Sequence, residues 1–318
     1  MIHSRIAGTG SYLPEKILTN ADLEKMVDTS DEWIRSRTGI ERRHIAVDGQ
    51  TTVDLAEQAA RRAIEAAGIT PAEVDFIAFG TTTPDLVFPN CGVLLQQRLG
   101  CRGVPAFSVE TACAGFMYAL SIADKYVRCG EAKRALVIGA ETLSRMTDWS
   151  DRGTAVLFAD GAGAVVLEPS AAPGVLSTHL HADGVYKDLL YCGSGVSRGF
   201  EPKLVITMSG NEVFKIAVTK LGQAVDEALA ANGLTKEALD WLVPHQANIR
   251  IIQAMARRLD MPMEKVIVTV QEHGNTSAAS VPLALDVAVR DGRIKRGELL
   301  LLEAFGGGFT WGSALVRY

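Results

Sequence analysis

No apolar run in the 318-residue chain reaches the roughly 18 residues that a membrane-crossing helix needs, so no membrane span is expected. The opening stretch MIHSRIAGTGSYLP lacks the hydrophobic region of a secretory signal and reads as a first strand and turn. Positive charge is not in excess. The formal net charge of −5 argues against a general nucleic-acid binder and leaves room for a local basic patch. Cysteine is sparse and odd in number: Cys91, Cys101, Cys113, Cys129 and Cys192 have neither disulfide nor metal-ligand spacing, which fits a reducing cytoplasm. The Walker A loop and HExxH are missing. DGAGA at 160–164 lacks the full GxGxxG and runs into strand-like AVVLEP, so it is not a dinucleotide fingerprint. His179 and His181 alternate in THLHAD without an acidic or cysteine partner at metal spacing, and read as structural.

Apolar residues make up 47% of the chain, enough for two ordinary domains or one large α/β unit. The chain also repeats itself. AIEAAGITPAEVDFI (63–77) and ALAANGLTKEALDWL (228–242) align without gaps at an offset of 165, each reading as an amphipathic helix, a Gly stop, a turn and a buried strand. The same offset lays TACA (111–114) over TSAA (276–279). This predicts an internally duplicated α/β protein, its halves 1–170 and 171–318 meeting about a pseudo-dyad, with helices outside and between two sheets. Strands are expected at 135–141, 154–168, 174–183 and 299–318. LVIG and LLLL are apolar on both faces, as suits central strands covered on each side. Residues 184–208 have no clear period and read as a surface excursion near the junction.

Three short stretches carry polar groups at places where α/β proteins do chemistry. In SVETACAGFMYAL, Cys113 falls between a strand and a helix that buries Phe116, Ala119, Leu120 and Ala123. It is open to two readings, a small core residue or a nucleophile whose thiol is lowered by the first turn of the helix. In WLVPHQANIR, His245 follows a buried strand at its C-terminal edge. In QEHGNTSAASVP, Asn275 sits in a turn entering a helix, as a cap or as an amide donor. In EAFGGGFTWGS the triple glycine is a tight hairpin or a presenter of backbone N–H groups to an oxyanion. The duplication points the strand ends of both halves at one cleft.

Taken together, TACAGF, VPHQANIRI, HGNTSAASVP and EAFGGGFTWGSALV resemble the motif set of β-ketoacyl-acyl-carrier-protein synthase III, and the similarity extends through GTGSYLP, TSDEWIRSRTGI and DRGTAVLFADGAGA. The resemblance implies a thiolase-like, five-layer αβαβα fold and a cytoplasmic homodimer. It implies that Cys113, His245 and Asn275 perform a decarboxylating condensation of an acyl-coenzyme A with malonyl-acyl-carrier protein. Acetyl-coenzyme A is the default primer, with coenzyme A entering as substrate thioester and no metal or resident cofactor. It further implies an oxyanion hole from the backbone of Cys113 and Gly307, and an acyl pocket bounded by Leu190 and, across the dimer, Phe88. Trp33, Arg37, Arg152 and Asn248 would contact coenzyme A, and Lys215, Arg250, Arg257 and Arg258 the carrier protein. The stretches 81–95 and 191–203 are individual to this chain and leave longer or branched primers open. Two alternatives stand beside this reading: a condensing enzyme of secondary metabolism with the same fold, and a Cys-His-Asn thiol hydrolase, against which the duplication and the missing CGSCW signature both speak.

Overall fold

Short apolar stretches that alternate strand and helix, twice over, build two sheets in a computed structural model that describes residues 2–201 and 204–318. The first sheet holds β1 (His3–Tyr12), β2 (Phe76–Gly80), β3 (Ala106–Val109), β4 (Ala135–Thr142) and β5 (Asp160–Ser170) in the order β1-β5-β4-β2-β3. The second holds β6 (Val175–Ala182), β7 (Trp241–Pro244), β8 (Leu299–Gly306) and β9 (Thr310–Arg317) in the order β7-β8-β9-β6. Strand β2 runs parallel to β3 and β4, β7 runs parallel to β8, and the remaining neighbours are antiparallel. The segment β2-β4-β5-β1 therefore has the same order and directions as β7-β8-β9-β6. What answers to β3 in the second sheet is a single parallel bridge between Leu242 and Val266.

Seven helices matter to the site: α1 (Asp31–Thr38), α2 (Thr52–Ala66), α3 (Cys91–Leu99), α4 (Gly115–Arg128), α5 (Gly210–Ala231), α6 (Ile249–Arg258) and α7 (Ser280–Arg290). Phe116 and Leu120 of α4 and Leu285 of α7 share one buried cluster with Val137 and Val165 of the first sheet and Val243 and Leu302 of the second. These two helices are the central layer. Helices α2 and α3 cover the outer face of the first sheet, and α5 and α6 that of the second, giving five layers, αβαβα. Each large apolar side chain fully buried in these layers contributes about 1.5–3 kcal/mol. Among the described residues no helix is long and apolar enough to cross a membrane.

Three local expectations need correction. The strand read at 154–168 starts only at Asp160, because Asp151 accepts hydrogen bonds from Gly153 N (2.8 Å) and Thr154 Oγ1 (2.7 Å) and turns Arg152–Ala155 into a helix. His179 and His181 do have an acidic partner: Glu227 of α5 lies 3.3 Å and 2.6 Å from them, brought there by packing of α5 on edge strand β6. The described part of 184–208, which leaves out 202 and 203, is more than a surface excursion. Leu190–Cys192 pairs antiparallel with Ile206–Met208, and this flap helps to line the cavities described below.

The halves touch through glycine. The turns Ala112–Ala114 and Ser277–Ala279, 165 residues apart, pack against each other between the sheets. A Cβ at Gly139 of β4 would stand 2.1 Å from the carbonyl oxygen of Ala278. Gly139→Ala should therefore cost about 1–3 kcal/mol, the range of core overpacking. Urea unfolding checks this against Gly184→Ala, a position with nothing within 4 Å, which is expected to stay near wild type.

Candidate active site

Strand β3 delivers the chain through Glu110 and Thr111 to a sharp elbow at Ala112, whose φ of 46° lies in the left-handed region. Cys113 sits in the tight turn that follows, and the regular helix α4 begins only at Gly115, later than the first-turn placement expected from sequence. The left-handed residue is the reason, since a regular helix cannot start until the elbow is complete. Gly306, closing β8, lies so near that a Cβ on it would meet the Cys113 amide nitrogen at 2.6 Å. Cys113 is 8% exposed. Burial pushes its thiol up to about 12; a hydrogen bond with the Ser277 hydroxyl pulls it down in part and the charge of Glu141 pushes it further up. Burial thus works against the lowering expected from the helix start, because desolvation disfavours the thiolate.

His245 follows β7, and its main-chain N–H donates to the Glu303 carbonyl at 2.8 Å. Its Nδ1 is 2.5 Å from Ser280 Oγ at the start of α7, and burial lowers the ring to about 4, so it is neutral at physiological pH. When the Ser280 hydroxyl donates to Nδ1, Nε2 carries the proton and faces outward as a donor. Asn275 is pinned by its backbone, donating to Leu157 O and accepting from Ala159 N, both at 2.9 Å. Its Oδ1 accepts the Ser277 N–H at 3.0 Å, which leaves Nδ2 free to donate. The cap and donor readings of Asn275 are thus compatible in one side chain.

Cys113, His245 and Asn275 line one cavity of ≈ 380 Å³ together with Trp33, Arg37, Asn248 and Leu190. A second cavity of ≈ 460 Å³ opens on the other side of Cys113 and Leu190, lined by Gly307 and the apolar side chains of Leu143, Met146, Phe158 and Ile206. Arg152 lies 4.8 Å over the Trp33 ring, beside the mouth rather than in the lining. Phe88 is 84% exposed and lines neither cavity of its own chain. Arg250 joins the lining and stacks 5.1 Å over Phe214, with Lys215 exposed nearby on α5. Arg257 and Arg258 fall in the last turn of α6, about 10 Å further along its axis, and Arg258 is paired with Asp226. Among the described residues no group of three or more His, Cys, Asp or Glu side chains could hold a metal ion.

Four polar residues were not singled out from sequence. Ser280 orients His245, and the Ser277 hydroxyl lines the second cavity beside Cys113 and pulls its thiol down. Glu141, fully buried, accepts from Thr83 Oγ1 (2.7 Å), Thr81 Oγ1 (3.1 Å), the Thr82 N–H (3.1 Å) and Ser277 Oγ (3.3 Å), and burial raises it to about 7. Glu303 has no partner for either carboxylate oxygen among the described residues; it lines the first cavity and burial raises it to about 8. The available signal was a lone Glu inside each of two otherwise apolar strands, LVIGAET and LLLLEAF.

This arrangement of layers and polar residues defines a condensing acyltransferase of thiolase-like fold. Family profiles match at residues 107–184, described as 3-oxoacyl-[acyl-carrier-protein] synthase III, and at residues 229–318, described as the C-terminal part of the same enzyme. The β-ketoacyl-[acyl-carrier-protein] synthase III of Xanthomonas campestris pv. campestris is 66% identical over 321 residues, covering 100% of this chain and 99% of that protein. The crystal structure of 3-oxoacyl-[acyl-carrier-protein] synthase III from Aquifex aeolicus superposes with a TM-score of 0.95 at 48% identity, covering 99% of this chain and 100% of the other. The priming β-ketosynthase of the R1128 polyketide biosynthetic pathway superposes at 0.94 with 38% identity, covering 99% and 96%. The chain belongs to the β-ketoacyl-acyl-carrier-protein synthase III family.

The raised thiol has a direct consequence. Iodoacetamide should label Cys113 of the free protein at neutral pH about 10²-fold more slowly than an ordinary exposed thiol, since the smaller thiolate fraction is only partly offset by greater nucleophilicity. Mass-resolved labelling from pH 7 to 10 checks this, with a rate that keeps rising across the range expected for Cys113.

Proposed function

We propose that the protein begins fatty-acid synthesis by condensing a short acyl-coenzyme A, acetyl by default, with malonyl-acyl-carrier protein, yielding 3-oxoacyl-acyl-carrier protein, CO2 and coenzyme A. The observation that carries this reading is that a cysteine, a histidine and an asparagine from distant parts of the chain line one cavity, with a second, largely apolar cavity on the far side of the sulfur. Cys113 Sγ attacks the thioester and holds the acyl group covalently. The acyl oxygen is assigned to the backbone N–H groups of Cys113 and Gly307. Malonyl loses CO2, and the charge that builds on the remaining thioester oxygen is met by His245 Nε2–H and Asn275 Nδ2–H. Both donors are neutral, so neither depends on a charge; removing one is expected to cost about 3–4 kcal/mol of barrier. The enolate carbon then attacks acyl-Cys113.

The acyl chain is assigned to the second cavity against Leu190, with Phe88 supplied by the other protomer of a homodimer. The exposure of Phe88 beside exposed Leu86 and Val87 supports that role. Trp33, Arg37 and Arg152 are assigned to the nucleotide end of coenzyme A and Asn248 to its arm; the Arg152–Trp33 stack supports a clamp that holds a planar base. Lys215 and Arg250 at the cavity mouth form the centre of the carrier-protein surface. Arg257 and Arg258 sit at its edge, where they also complement the C-terminus of α6. The functional halves are 1–170 and 171–318, and the reaction belongs in the cytoplasm without a metal or resident cofactor.

A second reading, a priming enzyme of a specialised pathway, is favoured by the likeness to the R1128 priming β-ketosynthase. The chemistry is common to both, and the primer separates them. The protein and its Cys113→Ala variant would be incubated with equimolar acetyl-, isobutyryl-, hexanoyl- and octanoyl-coenzyme A, and their intact masses recorded. A single acetyl adduct absent from the variant is the expected result. A mainly longer or branched adduct moves the role to another primer, and no adduct on either protein sinks the covalent mechanism.

A further inference from the structure

The reaction as described leaves one proton without a keeper. A thiol raised by burial must lose its proton when it attacks the acyl thioester, and must recover one when the condensation expels it as a thiolate. His245 is a poor acceptor, since its Nδ1 is occupied by Ser280 and burial holds its ring to about 4. Asn275 offers only an amide. On the other side of Cys113, however, polar groups lead away from the sulfur. The Ser277 hydroxyl pulls the Cys113 thiol down, both residues line the second cavity, and Ser277 Oγ lies 3.3 Å from Glu141 Oε1. The carboxylate is held in place by Thr81, Thr82 and Thr83, all donating to it, and it is fully buried.

We propose that Glu141 is a positioning residue that takes the Cys113 proton through Ser277 during acylation and returns it by the same path after condensation. In the first half-reaction Cys113 S–H passes its proton to Ser277 Oγ as Ser277 passes its own to Glu141. The S–C bond to the acyl group forms, the thioester C–S bond breaks, and coenzyme A departs as a thiolate that is protonated in bulk water. In the second half-reaction the new C–C bond forms, the acyl C–S bond breaks, and its electron pair stays on Cys113. Glu141 returns the proton through Ser277, ending as the carboxylate that began the cycle. CO2 leaves without a proton, so the enzyme's own proton returns to Cys113 and the only proton drawn from solvent is the one on coenzyme A.

The electrostatic surroundings suit a group that changes charge at neutral pH. Around Glu141 stand the three threonines, the Ser277 hydroxyl and two buried thiols, Cys113 and Cys91, each pushed up to about 12 and so uncharged. No Lys, Arg or His pairs with Glu141 among the described residues. Burial raises it to about 7 against the pull of the Thr83, Thr82 and Thr81 bonds. It is therefore ionised enough to accept a proton near neutral pH and, being buried, basic enough to keep one between half-reactions.

The inference rests on the acyl-transfer reading above, and the test separates the two. The rate of acyl-Cys113 formation from acetyl-coenzyme A would be followed by quenched-flow mass spectrometry from pH 5.5 to 9.5 in wild type, Glu141→Gln and Ser277→Ala. Wild type should rise with pH to a plateau beginning near 7. Both variants should lose the plateau and rise throughout, falling about 10²-fold or more below wild type at neutral pH. Ser277→Ala keeps the carboxylate and its threonine bonds, so it carries the test if Glu141→Gln does not fold; thermal midpoints identify that case. Variants that are slower by one factor at every pH, with the plateau intact, overturn the inference and leave Glu141 a structural residue. A wild-type protein that takes no acyl group overturns the acyl-transfer reading itself.

Discussion

The structure depends on one contact, the meeting of two tight turns between the sheets. Ala112 and Ser277, separated by the repeat distance of 165, both carry a left-handed φ, 46° and 49°, at residues that have a side chain. Such conformations cost about 1–3 kcal/mol each and survive only where the surroundings over-determine them. Here the surroundings are strand ends. Gly139 leaves no room for a side chain against Ala278, and Gly306 none against the Cys113 amide. Each turn is thus clamped by backbone of the first or second sheet, while the two central helices that follow them, α4 and α7, are locked into the shared core. The elbow aims Cys113 into the gap between cavities, and its counterpart aims Ser277 at Cys113 and Glu141 while fixing Asn275 through the Ser277 N–H.

A second theme follows from placing that contact in the interior. Burial, not local charge, sets the protonation of the site. The thiol, the histidine and both acids are moved toward their uncharged forms, to about 12, 4, 7 and 8 for Cys113, His245, Glu141 and Glu303. A buried pocket of mostly neutral groups leaves the charge that develops on a thioester oxygen as a strong electrostatic feature during reaction. Fixed N–H donors gain most in such a setting, because they need no reorganisation when the charge appears. The charged side chains collect at the mouth instead, where Arg37 and Arg250 line the entrance and Arg152 rests on Trp33.

Much of the fold was legible because local pattern and global architecture agree. The helix–Gly–strand unit repeats with recognisable residues, and the prediction of helices outside and between two sheets follows from strands apolar on both faces. The small-residue turns and their offset were also visible, and so were Cys113, His245 and Asn275 as members of one motif set. Errors arose where a side chain redirected the backbone or a distant element supplied a partner. Asp151 turned an expected strand start into helix, and Glu227 reached His179 and His181 from another layer. Glu141 and Glu303 are masked by the apolar runs around them, although a lone acid in a buried strand is itself a signal.

The duplication, the element types and the inventory of reactive groups are written in the order of residues alone, since they rest on periodicity, spacing and residue chemistry within short windows. Tertiary structure decided which of those groups meet and in what state. The ionisation of Cys113 could not be read from its helix, because desolvation depends on every layer packed around it. The path from its sulfur through Ser277 to Glu141 joins three segments far apart in the chain, so it exists only once the two halves have closed on each other.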